Sequence, residues 1–214
     1  MKILYIEARQ KLQKKEDEKP IDLNFIAKLP KDIYIVYSIQ FKEQALAMLD
    51  ALKKHGNIIR GFTQILGCTR LKTPYPILLV GQARFHATNL ALQNPEHPII
   101  IYSSGNSFVF SQKEIEKIKQ NQKAALNLFF ASDKIGILVS TKPGQEHLSS
   151  ALSLKNKIEK KYPEKKVFIF ISNSINTAEF QNFDVPVFVN TACKGLAYDS
   201  PKIINSDDIL EFLA

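Results

Sequence analysis

Cysteine is scarce in this chain: its 214 residues include two, Cys68 and Cys193. Two thiols cannot form a disulfide framework, so the fold must rest on an apolar core, and a cytoplasmic location is expected. Arginine is nearly as rare. Four arginines (Arg9, Arg60, Arg70, Arg84) stand among 29 basic residues, so the net charge of +8 against 21 acidic residues is almost all lysine. Specific base readout and bidentate phosphate grip favour arginine, so direct nucleic-acid binding is not expected. A solvated lysine surface is the ordinary reading, and contact with an acidic or RNA-rich partner is the alternative. Long hydrophobic runs are missing too. None approaches the ~18 residues of a membrane span, and the short apolar start, Met1–Ile6, runs into Glu7 and a charged segment, unlike a signal peptide. No membrane association is expected. The GxxxxGK phosphate loop, GxGxxG, CxxC and HExxH are all absent.

What the chain does have is apolar content, 45%, enough to bury a sizeable core. It is arranged as alternating strand and helix signals. Apolar, β-branched runs lie at Ile3–Ile6, Ile33–Tyr37, Ile77–Val80, Ile99–Tyr102, Ile135–Val139, Val167–Ile171 and Val185–Val189. Most are continuous rather than alternating, as in parallel strands covered on both faces. Between them, Phe41 to His55 carries Ala45, Met48, Leu49 and Leu52 on one helical face, with Gly56 as a stop. Ser111-Gln112-Lys113-Glu114 is a capping box opening a helix with Ile115, Ile118, Ala125 and Phe129 inward. Leu148, Leu152, Ile158 and Tyr162 mark another helix, ended by Pro163.

The expected fold class is α/β: two tandem parallel-sheet units with right-handed crossovers. The divisions read as a remnant strand and charged loop at 1–28, a unit carrying Cys68 at 29–104, a connecting helix at 105–131 and a unit carrying Cys193 at 132–214. Gln10–Pro20 is polar and reads as an exposed loop. The opening strand has no helix of its own, so it looks like the end of a longer fold.

Each unit places its cysteine in a loop. Cys193 follows a strand directly, where parallel sheets form their ligand crevice. A thiolate there can ligate metal, but two unremarkable free thiols are the plain alternative. Among the histidines, His55 reads as a helix C-cap, His97 as part of a surface turn and His147 as exposed in a first helical turn. Arg84 and His86 follow the strand Ile77–Val80 and stand at its carboxyl end, with local capping as the plain reading. Ser140-Thr141-Lys142-Pro143-Gly144-Gln145 joins a strand to a helix and suits a carboxylate or phosphate, or is simply a turn.

Six segments in order carry a family resemblance: Tyr5–Arg9, Tyr37–Phe41, Ile65–Cys68, Gly81–His86, Val139–Gln145 and Val189–Cys193. Across essentially the whole chain they resemble the diphthamide synthase family, the atypical radical S-adenosylmethionine subunit known as 2-(3-amino-3-carboxypropyl)histidine synthase. The resemblance implies three similar parallel α/β domains, each giving one cysteine to a central 4Fe–4S cluster. The open iron takes S-adenosylmethionine, whose 3-amino-3-carboxypropyl group is transferred to a histidine of translation elongation factor 2. The two units here would correspond to the second and third domains. Carried over by motif, Cys68 and Cys193 are the metal ligands, and Gln40, Arg84, His86, Thr141, Lys142 and Gln145 line the substrate crevice.

Three departures stand out. The first domain and its cysteine have no counterpart beyond Tyr5–Arg9. Gly81-Gln82-Ala83-Arg84-Phe85-His86 replaces the family's GDGRFH, and Lys194-Gly195 replace a proline and arginine. The implied partners are therefore elongation factor 2 and a chain supplying the missing domain and thiolate. The alternatives are a non-catalytic structural or electron-delivering paralogue, or an unrelated α/β protein binding a small anion.

Overall fold

The computed structural model describes residues 21–82, 84–103, 105–142, 145–198 and 200–213. The expected strand Ile3–Ile6 and the loop Gln10–Pro20 lie outside these residues. The chain divides into two compact units, up to Ile115 and from Glu116.

The first unit begins with a short helix, Leu23–Ala27 (α1), whose Asp22 cap accepts from the Asn24 N–H at 2.8 Å. Strand Asp32–Tyr37 (β1) follows, then helix Lys42–Lys54 (α2) and strand Ile58–Gln64 (β2). α2 buries Ala45, Met48 and Leu52, and ends at Gly56, whose φ of +87° lies in the left-handed region that closes a helix without a Cβ penalty. Strand Ile77–Val80 (β3), helix Arg84–Gln93 (α3), strand Ile99–Ser103 (β4) and strand Asn106–Val109 (β5) complete the sheet, in the order β2-β1-β3-β4-β5. The first four are parallel and β5 pairs antiparallel to β4. All four residues of β3 are buried, which is why it reads as an unbroken apolar run.

Helix Gln112–Ala131 (α4) leads into the second unit: strand Lys134–Ser140 (β6), helix Leu148–Lys161 (α5) and strands Lys166–Ser172 (β7), Val187–Asn190 (β8) and Ile203–Asn205 (β9). Short 3-10 segments cover Thr177–Asn182, Lys194–Ala197 and Ser206–Leu213. This sheet is wholly parallel, in the order β7-β6-β8-β9. One face packs Ile135, Ile137, Val139, Val187 and Val189 against Ala125 and Phe129 of α4 and Ala151, Leu154 and Ile158 of α5. Lys165, 5% exposed, donates to the Phe130 and Ser132 carbonyls at 2.9 and 2.7 Å, so a buried cation neutralises the carbonyl end of α4.

Several expectations shift. The α5 stripe is Ala151, Leu154 and Ile158, whereas Leu148 and Leu152 are 37% and 47% exposed. The expected set was out of phase by part of a turn, and only Ile158 and the half-buried Tyr162 belong to the core side. β8 starts at Val187 rather than Val185, because Pro186 has no N–H to give a ladder and Val185 is already in a turn with Phe183. β2, β5, β9, α1 and α3 carry too few contiguous apolar residues to be legible by period.

The capping box forms as read: Glu114 N–H donates to the Ser111 hydroxyl at 3.3 Å, and Ser111 N–H donates to the Glu114 carboxylate at 3.0 Å. That backbone donor, with help from the Ser111 hydroxyl and the Arg84 guanidinium 3.3 Å away, holds the Glu114 carboxyl below its ordinary 4.5. Because the folded value is depressed, the contribution is present above the ordinary value and is lost as pH falls through the folded one. Ser111→Ala is expected to lose about 1 kcal/mol in denaturant unfolding. Glu114→Gln should be less stable than the parent at pH 7, with the difference shrinking as pH is lowered towards 3. A pH-independent difference would reject the pairing.

Candidate functional site

Parallel pairing sets the site of the first unit. Tyr37 is level with Gln64 on one side and Val80 on the other, and Val80 is level with Tyr102. The loops after β1, β2 and β3 therefore leave one edge of the sheet at one height. The chain runs from β1 outward to β2 and then returns past β1 to β3, so the strand order reverses between β1 and β3. Such a reversal opens a crevice at the carboxyl edge. Gln40, exposed, lies in the 3-10 turn Ile39–Phe41 after β1; Cys68, exposed, follows β2; and Arg84 and His86 follow β3 in the first turn of α3.

Cys68 sits in a tight turn in which Leu66 N–H donates to the Thr69 hydroxyl at 2.8 Å and Thr69 N–H to the Leu66 carbonyl at 3.1 Å. α3 holds this loop by its backbone. Asn89 and Gln93 both donate to the Thr69 carbonyl, at 2.9 and 3.2 Å, and Gln93 accepts from the Leu71 N–H at 2.9 Å. Asn94, 5% exposed, donates to the Leu71 carbonyl at 2.8 Å and accepts from the Thr73 N–H at 2.9 Å. These side-chain amides give the loop the partners that a buried backbone requires. The Phe85 ring lies against Gly67, where a Cβ would meet Phe85 Cε1 at 1.8 Å. The residue beside Cys68 must therefore be glycine for the ring to stay. None of Asn89, Gln93 and Asn94 was singled out from the sequence; their only signal is three amides on one side of a segment that lacks an apolar stripe.

Arg84 is engaged with Glu114. His86 is half-buried, its Nδ1 is buried without a hydrogen-bond partner among the described residues, and burial lowers its pKa.

The second unit repeats the reversal, between β6 and β8. After β6, Thr141 and Lys142 are exposed and Gln145 is half-buried. Ser140 Oγ accepts from the Lys142 N–H at 3.1 Å, and Gln145 N–H donates to the Lys142 carbonyl at 2.9 Å, which folds the turn. After β8 comes Cys193, half-buried, at the start of the 3-10 segment. Asn190, 2% exposed, organises this loop: its Nδ2 donates to the Cys193 carbonyl and to Asn205 Oδ1, both at 2.8 Å, and its Oδ1 accepts from the Ala192 N–H at 3.0 Å. Nearby, burial pushes the Tyr198 phenol up to about 12, helped by the charges of Asp208 and Cys193. Burial also raises the Asp208 carboxyl. Asn190, Tyr198 and Asp208 were given no role from the sequence, because a single polar residue after a strand has no periodic signal.

The family described as "Putative diphthamide synthesis protein" matches residues 1–203. The chain belongs to the diphthamide synthesis protein family. Its fold is similar to two crystal structures of Dph2 from Pyrococcus horikoshii. The one with a 4Fe–4S cluster has a TM-score of 0.72 at 20% identity, over 89% of this chain and 59% of that one. The other has a TM-score of 0.71 at 20% identity, over 90% of this chain and 60% of that one. The chain thus spans about three-fifths of the length of these solved relatives. No curated protein sequence matches it.

In this member of the diphthamide synthesis family, the described residues hold no group of three or more histidine, cysteine or acidic side chains able to bind a metal. The two thiols are free and reachable, and each is fixed by its loop rather than buried in a core. As donors they suit iron–sulfur ligation, but two thiolates fall short of a cluster's ligand set. No described helix is long and apolar enough to cross a membrane.

The Gly67–Phe85 contact yields a test. Gly67→Ala should displace the Cys68 turn, cost about 1–3 kcal/mol and change the rate at which Cys68 reacts with a thiol reagent. Adding Phe85→Ala should restore the parent rate of Cys68. A single variant indistinguishable from the parent in both readouts would show that the ring does not hold the loop.

Proposed function

We propose that this chain is part of a diphthamide biosynthesis enzyme, an aminocarboxypropyl transferase acting on translation elongation factor 2. In this reading the 3-amino-3-carboxypropyl group comes from S-adenosylmethionine, and Cys68 and Cys193 are thiolate ligands of a 4Fe–4S cluster. A further thiolate from outside these 214 residues, in this reading from a partner chain, completes the ligand set. The observation that carries the reading is the placement of both cysteines, free and loop-held, at the carboxyl edges of sheets whose fold is similar to that of Dph2.

When bound, the reduced cluster supplies one electron to split the bond from the sulfonium sulfur to the methionine side chain. The chain's own residues bind and orient. Lys142, exposed at the β6 turn, offers a cation to the methionine carboxylate, and Arg84 offers a second if it exchanges Glu114 for that ligand. His86, whose burial disfavours the charged form, presents a polar ring. Gln40, Thr141 and Gln145 contribute neutral hydrogen-bonding groups. The lysine-rich surface suits an acidic, RNA-associated protein substrate.

A second reading is favoured by the residue after Cys193. Lys194 is engaged with Asp207 where the family carries a proline followed by an arginine, which suits a subunit that keeps the fold as scaffold or electron donor. Anaerobic iron–sulfide reconstitution, alone and with a candidate first-domain protein, separates the readings. A reduced-cluster paramagnetic signal that needs the mixture and changes with S-adenosylmethionine is expected. Cys68→Ser or Cys193→Ser should abolish transfer while the complex stays intact. No cluster under either condition would overturn the ligand assignment. A cluster with transfer unchanged in both variants would leave the scaffold.

A further inference from the structure

The second unit holds a cavity of about 360 Å³, at the low end of the ~300–1,000 Å³ typical of ligand pockets; Asn190 and Lys194 of the Cys193 loop line it, but neither cysteine nor any of the residues carried over by motif does. It lies between the start of α5, the loop after β8 and the end of β9. Apolar walls come from Leu154 and Leu210, and polar ones from Ser150, Asn205 and the ion-paired Lys194 and Asp207.

The orientation of Asn205 follows from its neighbours. The Cys193 carbonyl needs a donor and the Ala192 N–H needs an acceptor, which fixes the Asn190 amide with its nitrogen towards Cys193. That nitrogen also donates to Asn205, so the oxygen of Asn205 faces Asn190 and its NH2 group points away. Asn205 is 5% exposed, and its Nδ2 has no hydrogen-bond partner among the described residues. Two fixed donor hydrogens are thus left at a cavity wall.

A second set of donors is independent of the first. α5 has no side-chain cap; its first backbone bond runs from the Ala151 N–H to the His147 carbonyl. The N–H groups of Leu148, Ser149 and Ser150 therefore lack protein partners among the described residues. His147 and Ser150, from the same turn, line the cavity. Every one of these uncommitted groups donates, and the positive end of the helix dipole adds to them. The single carboxylate at the wall, Asp207, is neutralised by Lys194.

We propose that this cavity binds the oxyanion group of a small molecule, a carboxylate or a phosphate, between Asn205 and the first turn of α5. The site stands on the second unit alone and does not depend on an iron–sulfur cluster. Its occupant would sit one hydrogen bond from Asn190, and through it act on the backbone of Cys193.

The test is titration of the full chain with inorganic phosphate and, separately, with acetate, by calorimetry at constant ionic strength set with chloride. Saturable binding of either supports the site, and the anion that binds names the group. Asn205→Asp keeps the acceptor for Asn190 and removes the donors, so affinity should fall at least about tenfold. Ser150→Glu, at an exposed position in the first turn, places a tethered carboxylate at the same donors. It should fold, raise the thermal midpoint without added anion and abolish binding. No saturable binding by either anion, or equal binding by the parent and Ser150→Glu, would overturn the proposal.

Discussion

Parallel strand pairing is the constraint on which the rest of the molecule depends. A parallel neighbour can be reached only by carrying the chain back to the starting end, so every crossover connection leaves the sheet at the same edge. In the first unit this aligns the ends of β1, β2 and β3 at Tyr37, Gln64 and Val80. In the second it sets Ser140 level with Ser172 and brings the end of β8, at Asn190, to the same edge level with Leu138. Antiparallel strands would have split these loops between two edges. The same pairing buries the central strands on both faces, so every residue of β3 and β8 is buried.

The two units share a strand order, β2-β1-β3-β4 and β7-β6-β8-β9, yet their cysteines do not occupy equivalent places. Cys68 follows β2, whereas Cys193 follows β8, which takes the position that β3 has in the first sheet. The counterpart of the Cys193 loop is the segment that opens α3 with Arg84 and His86. The supports differ accordingly. The Cys68 loop is held from outside by the side-chain amides of Asn89, Gln93 and Asn94, and the Cys193 loop from within by Asn190. The fold is repeated, and the sites grafted on it are not.

Charge is spent locally. The described pairs Arg60–Asp32, Lys134–Asp184 and Lys194–Asp207 are all surface contacts, each worth little in stability. Lys165 is the exception, buried over the Phe129 and Tyr162 rings at 5.9 and 5.6 Å and donating to the end of α4. Among the described residues no other lysine is buried, and this excess bears on what the chain meets rather than on how it folds.

The sequence by itself determined the α/β class, the long helices and the central strands, because burial on both faces of a strand or one face of a helix writes a periodic apolar signal. The capping box at Ser111 was legible for the same reason: its two reciprocal bonds are local, three residues apart. The six short segments were enough to carry the family. The edge strands β2 and β5 were not legible, since one side of each is left to solvent. α3 was hidden because one side of it binds backbone with amides instead of packing apolar side chains. Only the tertiary structure decided that Gly67 must lack a Cβ beneath Phe85, that Arg84 is engaged with Glu114 and that Asn190 joins Cys193 to Asn205. Each of these is a contact between residues whose separation along the chain carries no period, and hydrogen bonds of that kind are specified by where the strands end rather than by what stands next in sequence.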